Sequence, residues 1–337
     1  MSALAGGRSQ FHGSTIPDLG RTGTGSRLTR LRAVLADLAP LDVEAEIAPR
    51  LPALERFLAR ATSRPAPADW RAFAAAAFGV AEPAALPVAS LLATAAGLPP
   101  SPRWYVATPL HLVAGMNHVR VHAAGPVTLD AERAQRLVAR HGEEFAGDGT
   151  ELVATRFGLL FRAPADLAPT VTHDPERSTG RDVAPILPSG AGGRRLRALM
   201  AERDMWLHAQ AAAGPSALAP NTLWLWGASE APLPAPSQRP AVAGNEPFLA
   251  ALSVLLPATA PPVRSELRVL RVASLGADGN AFAAADETLF APLLAAARRG
   301  EFERVELWYA GRVYSLGRLG SYRPFRRERP WWQEAGS

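Results

Sequence analysis

Apolar positions between Leu28 and Phe78 recur at three- and four-residue steps. Leu28, Leu31, Val34, Leu35 and Leu38 form one set, Leu51, Leu54, Phe57 and Leu58 a second, and Trp70, Phe73, Ala77 and Phe78 a third. Residues so spaced share one face of a helix, so helices are expected here, with a break at Pro40. Ala89 to Ala96 adds a short helix after Pro83 and Pro87, and Gly97, Pro99 and Pro100 end it. The first hundred residues thus read as mainly helical.

At Arg103 the texture changes. Trp104 to Ala107 and Val119 to Val121 read as strands, with Gly115 and Asn117 as turn residues between them. Thr128 or Asp130 caps a helix that places Ala131, Ala134, Leu137 and Val138 on one face. Glu151 to Phe161 reads as two strands around a turn at Arg156 to Gly158, and Arg194 to Gln210 as a helix with Leu196, Leu199, Met200 and Leu207 on its apolar side. Leu223-Trp224-Leu225-Trp226 is apolar on both faces, as a covered central strand would be, and Gly227 ends it. Leu267 to Ala273 reads as a strand. Asp286 is expected to cap the helix of Leu289, Phe290, Leu293 and Leu294, with Gly300 at its left-handed end. Val305, Leu307 and Tyr309 alternate, and Gly311 turns the chain into Val313 to Leu316 as a hairpin. No internal repeat is found. The fold class is α/β, with mixed α+β as its variant. A flexible arm (1–27) precedes a helical N-terminal region (28–100), a mixed-sheet α/β core (101–320) and an Arg- and aromatic-rich tail (321–337).

Composition narrows the class. With 48% hydrophobic and 20% charged residues among 337, there is enough apolar surface to offset chain entropy. The absence of cysteine excludes disulfides, thiolate metal sites and cysteine nucleophiles. A net charge of only +5 accompanies a pI near 10.5 because every basic residue is Arg and none is Lys, so little titrates between neutrality and arginine. Together with the richness in Ala, Pro and Gly, this reads as a GC-rich coding bias before it reads as nucleic-acid binding. No apolar run approaches the roughly 20 residues of a membrane helix, and the start lacks the apolar core of a secretory signal. The expected location is the cytoplasm, with no membrane partner.

Candidate chemistry is sparse. None of the 7 histidines sits in H-E-x-x-H, and His118 and His122, four apart, flank an extended stretch. A metal site needs three or four converging ligands, so no metal and no cofactor are expected. Ser189, Gly190, Gly192 and Gly193 precede a helix and form a candidate anion turn, with Arg194, Arg195 and Arg197 adding charge; a plain loop-to-helix turn is the alternative. No G-x-S-x-G elbow is present. In the tail, Arg318, Arg323, Arg326, Arg327 and Arg329 interleave with Tyr322, Phe325, Trp331 and Trp332. Such a pattern stacks on bases, clamps a partner or covers a core with Arg stems. Arg323, Arg326, Arg327, Arg329 and Trp331 are the candidate interaction residues, and removing the chain after Leu319 is expected to harm recognition more than the fold.

Several spaced segments carry a family likeness. Arg194-Arg195-Leu196-Arg197-Ala198-Leu199-Met200, Trp206-Leu207-His208 and Asn221-Thr222-Leu223-Trp224-Leu225-Trp226-Gly227, with Phe290-Ala291-Pro292-Leu293 and Tyr322 to Pro330, resemble regulatory proteins of the RpfE type. The likeness runs from about Pro87 to Pro330. The stretch from Asn117-His118-Val119-Arg120 through Phe161-Arg162, His173-Asp174 and Leu187-Pro188-Ser189-Gly190 to Gly227 is also similar to the insertion domain of archaeal-type cofactor-independent phosphoglycerate mutases. The resemblance implies that Arg162, His173, Asp174 and Asn221 line a ligand cleft. It departs where those mutases carry an early Asp-Gly metal ligand and a serine nucleophile, which nothing before Arg103 matches. His208-Ala209-Gln210-Ala211 also stands where the family has His-Pro-Val-Asn. The resemblance implies a non-catalytic regulatory or interaction protein with an unidentified protein partner. The alternative is a mutase-like enzyme or a binder of a phosphorylated small molecule; nucleic acid is the least favoured partner.

Overall fold

The computed structural model describes residues 29–36, 49–81, 86–211, 219–270, 279–322 and 326–334. The arm 1–27 lies outside them. The first half of the chain runs β1 (Arg30–Leu35), α1 (Pro52–Arg60), β2 (Thr62–Pro65), α2 (Trp70–Ala75), α3 (Val88–Ala95), β3 (Trp104–Leu110), β4 (Leu112–Ala114), β5 (Val119–Val121), α4 (Ala131–Glu144), β6 (Glu151–Thr155) and β7 (Gly158–Arg162). There follow α5 (Gly193–Ala211), β8 (Thr222–Trp226), β9 (Arg239–Ala243), α6 (Pro247–Leu255), β10 (Pro262–Leu270), α7 (Gly279–Ala285), α8 (Ala291–Arg299), β11 (Arg304–Tyr309), β12 (Arg312–Leu316) and α9 (Trp331–Glu334). Among the described residues these strands make a six-stranded sheet in the order β2-β12-β11-β1-β10-β9, a four-stranded sheet β6-β7-β3-β8 and the β4–β5 hairpin. The fold is mixed α/β. In the larger sheet β9, β10, β1 and β11 are parallel, and β12 and β2 close one side antiparallel.

The helix expected over Leu28 to Leu38 is instead β1, held between β10 and β11. Its sequence satisfies both periods. Leu31, Val34 and Leu35 match a helix, but Leu31, Ala33 and Leu35 alternate, and these three are wholly buried on one face. Non-local pairing decided between two periods that a six-residue segment cannot separate. That face packs on α1, α8 and α9 through Leu54, Phe57, Leu294 and Trp331. The opposite face carries Val34, Trp308, Val313 and Leu267 and packs on α2, α3 and α6, in a core shared with the smaller sheet.

Two further expectations are corrected. β8 is buried along its whole length, but among the described residues it lies at the edge of its sheet and not in the centre, pairing only with β3. The loop before α5 covers it: the Trp224 indole N–H donates to the His173 carbonyl at 3.0 Å, and the Gly227 N–H donates to Thr172 Oγ1 at 3.1 Å. A covered edge cannot recruit another strand. Asp286, expected to cap its own helix, sits at a π-helical turn (Asp286–Phe290) between α7 and α8. Its carboxylate accepts from the Ala53 N–H at 2.8 Å and the Leu54 N–H at 3.1 Å, so it caps α1 across the core. Other signals hold as read. Asp130 caps α4, accepting from the Arg133 N–H at 2.7 Å, Gly300 is left-handed with φ 66°, and β11 turns into β12 through Ala310 and Gly311.

The tail is corrected as well. Trp331 is 0% exposed; its indole N–H donates to the Pro49 carbonyl at 3.0 Å, and its ring packs among Tyr309 and Trp332. It is a core residue and not a surface anchor. Arg326, Arg327 and Arg329 are exposed, while Arg323 lies outside the described residues. Glu328 pairs with Arg56 of α1 at 2.9 Å, tying this segment down a second time. Among the described residues, no helix is long and apolar enough to cross a membrane.

Candidate functional site

Helix α2 buries all six of its residues, and one of them is Arg71. A buried guanidinium is costly unless its charge and its donors are answered. Here Nη2 lies 2.6 Å from Asp174 Oδ2, and Nη1 lies 3.4 Å from Asp69 Oδ1. Asp69 also caps α2, accepting from the Arg71 N–H at 2.9 Å. The guanidinium carbon stands 4.6 Å from the Trp70 ring and 4.5 Å from the Trp226 ring, so aromatic planes hold it from α2 and from the end of β8. Burial alone would lower its pKa, but the carboxylates of Asp174, Asp69, Glu176 and Glu246 outweigh burial and raise it above the ordinary arginine value. Two carboxylates thus pair with the cation, two more act on it through their charge, and the Arg71 Nε remains without a hydrogen-bond partner.

Above this group opens a cleft of about 1030 Å³, where α2, the end of β8 and the loop of residues 169–174 meet. Pro67, Leu86, Val88, Val171 and Ile186 line it with apolar surface, and His173 and Glu230 stand on its rim. The Asp69 side chain keeps 45% of its surface exposed, so its carboxylate faces solvent as well as Arg71. Arg103 answers Glu230 at 3.2 Å. Gly227 shapes the floor. It takes φ 79°, and a Cβ there would stand 3.3 Å from Val88 Cβ. The bare backbone lets α3 begin against the end of β8, with the Ala89 N–H donating to the Gly227 carbonyl at 3.0 Å.

Of the four residues that the resemblance implied for a cleft, the fold brings two together. His173 and Asp174 line this one. Arg162 lies at the end of β7, paired with Glu151 at 2.7 Å, half exposed and apart from it. Asn221 works in place of a strand residue: its Oδ1 accepts from the Leu112 N–H at 2.7 Å and its Nδ2 donates to the Leu112 carbonyl at 2.9 Å, anchoring the β4–β5 hairpin. The expected anion turn uses its donors internally. The N–H groups of Ser189, Gly192 and Gly193 donate to the carbonyls of Val171, Pro169 and Gly190, and a Cβ on Gly192 would collide with the Ala168 carbonyl. Its glycines serve a close backbone approach. Sequence reasoning missed Arg71, Asp69, Trp70 and Trp226 as a set. The available signal was a charge inside an otherwise apolar six-residue helix, directly after an Asp cap.

No family model matches the chain, and no curated protein matches it. Among solved structures, the cofactor-independent phosphoglycerate mutase from Thermoplasma acidophilum is a weak neighbour. It is 14% identical, with 86% of this chain and 89% of that one covered and a TM-score of 0.35. A likeness of that size carries neither a site nor an activity across. Among the described residues, no group of three or more His, Asp or Glu side chains is placed to hold a metal ion.

A second buried polar group lies behind the smaller sheet, on α4 and α5. Arg203 is 1% exposed, stacks on Phe145 at 4.0 Å, pairs with Asp148 and donates to Thr150 Oγ1 at 2.9 Å. His141 is boxed by Phe145, Phe161 and Trp206. Burial, then the Arg203 charge, lowers its pKa to about 4. On α5, burial raises the Asp204 carboxyl to about 6, and the Thr222 hydroxyl and Leu223 amide only partly offset this. The two have opposite consequences. The depressed His141 supports the fold fully above about pH 6.5 and loses that support as pH falls towards 4. The raised Asp204 favours the fold below about pH 4 and costs stability as pH rises towards 6. Each effect is on the order of 1–3 kcal/mol, so they oppose each other between pH 4 and 6. Asp204→Asn is therefore expected to stabilise the protein at pH 7 and to make its stability fall more steeply as the pH drops to 4.5. Urea unfolding at the two pH values measures both; a variant less stable than the parent at pH 7 would contradict the assignment.

Proposed function

We propose that the chain is a non-catalytic, ligand-binding regulatory protein of the RpfE type, and that the cleft over Arg71 is its ligand site. The regulatory part of this reading rests on the sequence resemblance. The ligand site rests on one observation, the guanidinium held between Trp70 and Trp226 and fixed to Asp174 at the floor of a large, apolar-walled cleft. Rigid aromatic walls with a few fixed polar groups are the usual make-up of small-molecule sites.

The carboxylates of the cleft are committed to structure. Asp174 serves Arg71 and accepts from the Glu176 N–H, Asp69 serves Arg71 and caps α2, and Glu230 serves Arg103. A carboxylate nucleophile or base would need one of them free and paired with a reacting group. Charge also selects the ligand. An incoming phosphate meets Asp69 and Asp174 around an Arg71 that they already neutralise, and a Glu230 already paired with Arg103, whereas a flat cationic group finds the half-exposed Asp69 carboxylate beside apolar and aromatic surface. The cleft is therefore read as a site for a flat cationic molecule and not for a phosphorylated acid.

Benzamidine, an aromatic amidinium, is the probe. Calorimetric titration should show binding at one site with a dissociation constant on the order of a millimolar or tighter. Asp69→Asn, which keeps a capping side chain and removes a charge, should weaken it several-fold. 3-Phosphoglycerate should neither be turned over nor compete with benzamidine for the cleft. Turnover of 3-phosphoglycerate that Asp69→Asn abolishes would overturn this reading and make the cleft an active site.

A further inference from the structure

At the other end of the larger sheet, the face that carries Trp308 loses its cover. Its residues fall in rows set by the register. The covered row runs Arg64, Val313, Trp308 and Val34 across β2, β12, β11 and β1. One step down the row runs Thr62, Ser315, Glu306 and Arg32, and below it Arg304 stands opposite Arg30. A hollow of about 360 Å³ sits over these lower rows, against the end of α1, with Arg60, Arg64, Arg304, Thr62 and Ser315 in its lining.

The charges there do not balance locally. Glu306 is buried and engaged by Arg32 at 3.2 Å, with Arg30 at 3.9 Å. Glu303 is the other acid in the lining. Among the described residues, no ion pair and no side-chain hydrogen bond engages Arg64 or Arg304. Burial lowers the Arg32 pKa, and Arg30 and Arg64 add to that as like charges although Glu306 opposes them. Arg60 is lowered by burial and then by Arg298 and Arg56, against Glu328. Folding has thus placed three arginines, Arg60, Arg64 and Arg304, around a concave surface that also carries the hydroxyls of Thr62 and Ser315. Such a cluster is relieved by an anion that two or three guanidinium forks grip at once. The Ser315 hydroxyl, unpartnered among the described residues, supplies a further donor. Thr62 Oγ1 is already turned to the Ser315 carbonyl at 3.3 Å.

We propose that this hollow is a binding site for a small molecule bearing a phosphate-type oxyanion, held by Arg64 and Arg304, with Arg60, whose Nη1 already donates to the Ser321 carbonyl at 2.7 Å, lending its remaining donors. It is a separate site from the Arg71 cleft and opposite to it in charge preference. The volume suits a small phosphoester or diphosphate and not a polymer strand.

Isothermal titration of the full chain with sodium pyrophosphate, in buffer with about 0.15 M sodium chloride as competing anion, tests this. One site per chain is expected, with inorganic phosphate binding more weakly at the same site. Arg64→Gln and Arg304→Gln replace exposed side chains and should each lower the affinity tenfold or more. Urea midpoints within experimental error of the parent would show that these variants fold. Asp69→Asn should leave pyrophosphate binding untouched, so failure of this site and failure of the cleft reading are distinguishable. Absence of heat, affinity unchanged in both Arg variants, or loss caused instead by Arg326→Gln in the tail would overturn the proposal. So would single-stranded DNA binding that pyrophosphate does not displace.

Discussion

Arg71→Met should destabilise the fold by about 3–5 kcal/mol, as removal of one partner from a buried pair does. The loss has three sources in the geometry. Asp174, with only 11% of its side chain exposed, would keep its charge and lose the cation at 2.6 Å. Trp70 and Trp226 would lose the plane that separates them. The loop of residues 169–174, which covers the edge of β8 through Thr172 and His173, would lose its link to α2. The double variant Arg71→Met with Asp174→Asn should recover part of the loss, because the stranded charge is gone. Urea unfolding of the four-member cycle measures this. A cost below about 1 kcal/mol for the single variant, in the range of a surface pair, would show that Arg71 is solvated and that the cleft floor is not pre-organised.

Trp331→Ala should cost about as much, again about 3–5 kcal/mol, the usual loss on truncating a buried Trp. The ring fills the space between α1 and the face of the larger sheet that carries Tyr309 and Tyr314, and its N–H is paired with Pro49. Deletion of all residues after Leu319 removes the same ring and also the Ser321 carbonyl, which accepts from Arg60 at 2.7 Å. The truncated chain should therefore lose cooperative unfolding or melt many degrees lower, and Trp331→Ala in the full chain should reproduce most of that loss. Retention of the parent's unfolding midpoint by either would return the tail to the role of a dispensable arm.

Local chemistry made much of the fold legible. Asp130 before an amphipathic run, the turn at Arg156 to Gly158 and Gly311 between alternating strands each carry their own instruction within a few residues, and each element formed where it was read. β1 was not legible, because its six residues satisfy two periods and the strands that decide between them, β10 and β11, come more than two hundred positions later. Asp286 and Trp331 are misread for the same reason. Their partners, Ala53 and Pro49, lie far back along the chain, so an acid before a helix and a Trp in an Arg-rich tail suggest local roles that they do not have. The site divides in the same way. Resemblance singles out His173 and Asp174. Arg71 stays hidden, because the apolar spacing of its helix says nothing of a charge whose meaning depends on Asp174 arriving from a distant loop and Trp226 from the end of β8.

The most direct test of the central claim is where a cationic aromatic ligand lands. Protein labelled with 5-fluorotryptophan, with resonances assigned by single Trp→Phe variants, should show the Trp70 and Trp226 signals moving together as benzamidine is added, while Trp308 and Trp331 stay fixed. Titration with 3-phosphoglycerate should move none of the four. If benzamidine leaves Trp70 and Trp226 unmoved while 3-phosphoglycerate shifts them, the cleft over Arg71 takes a phosphorylated acid, and the proposed site for a flat cation is contradicted.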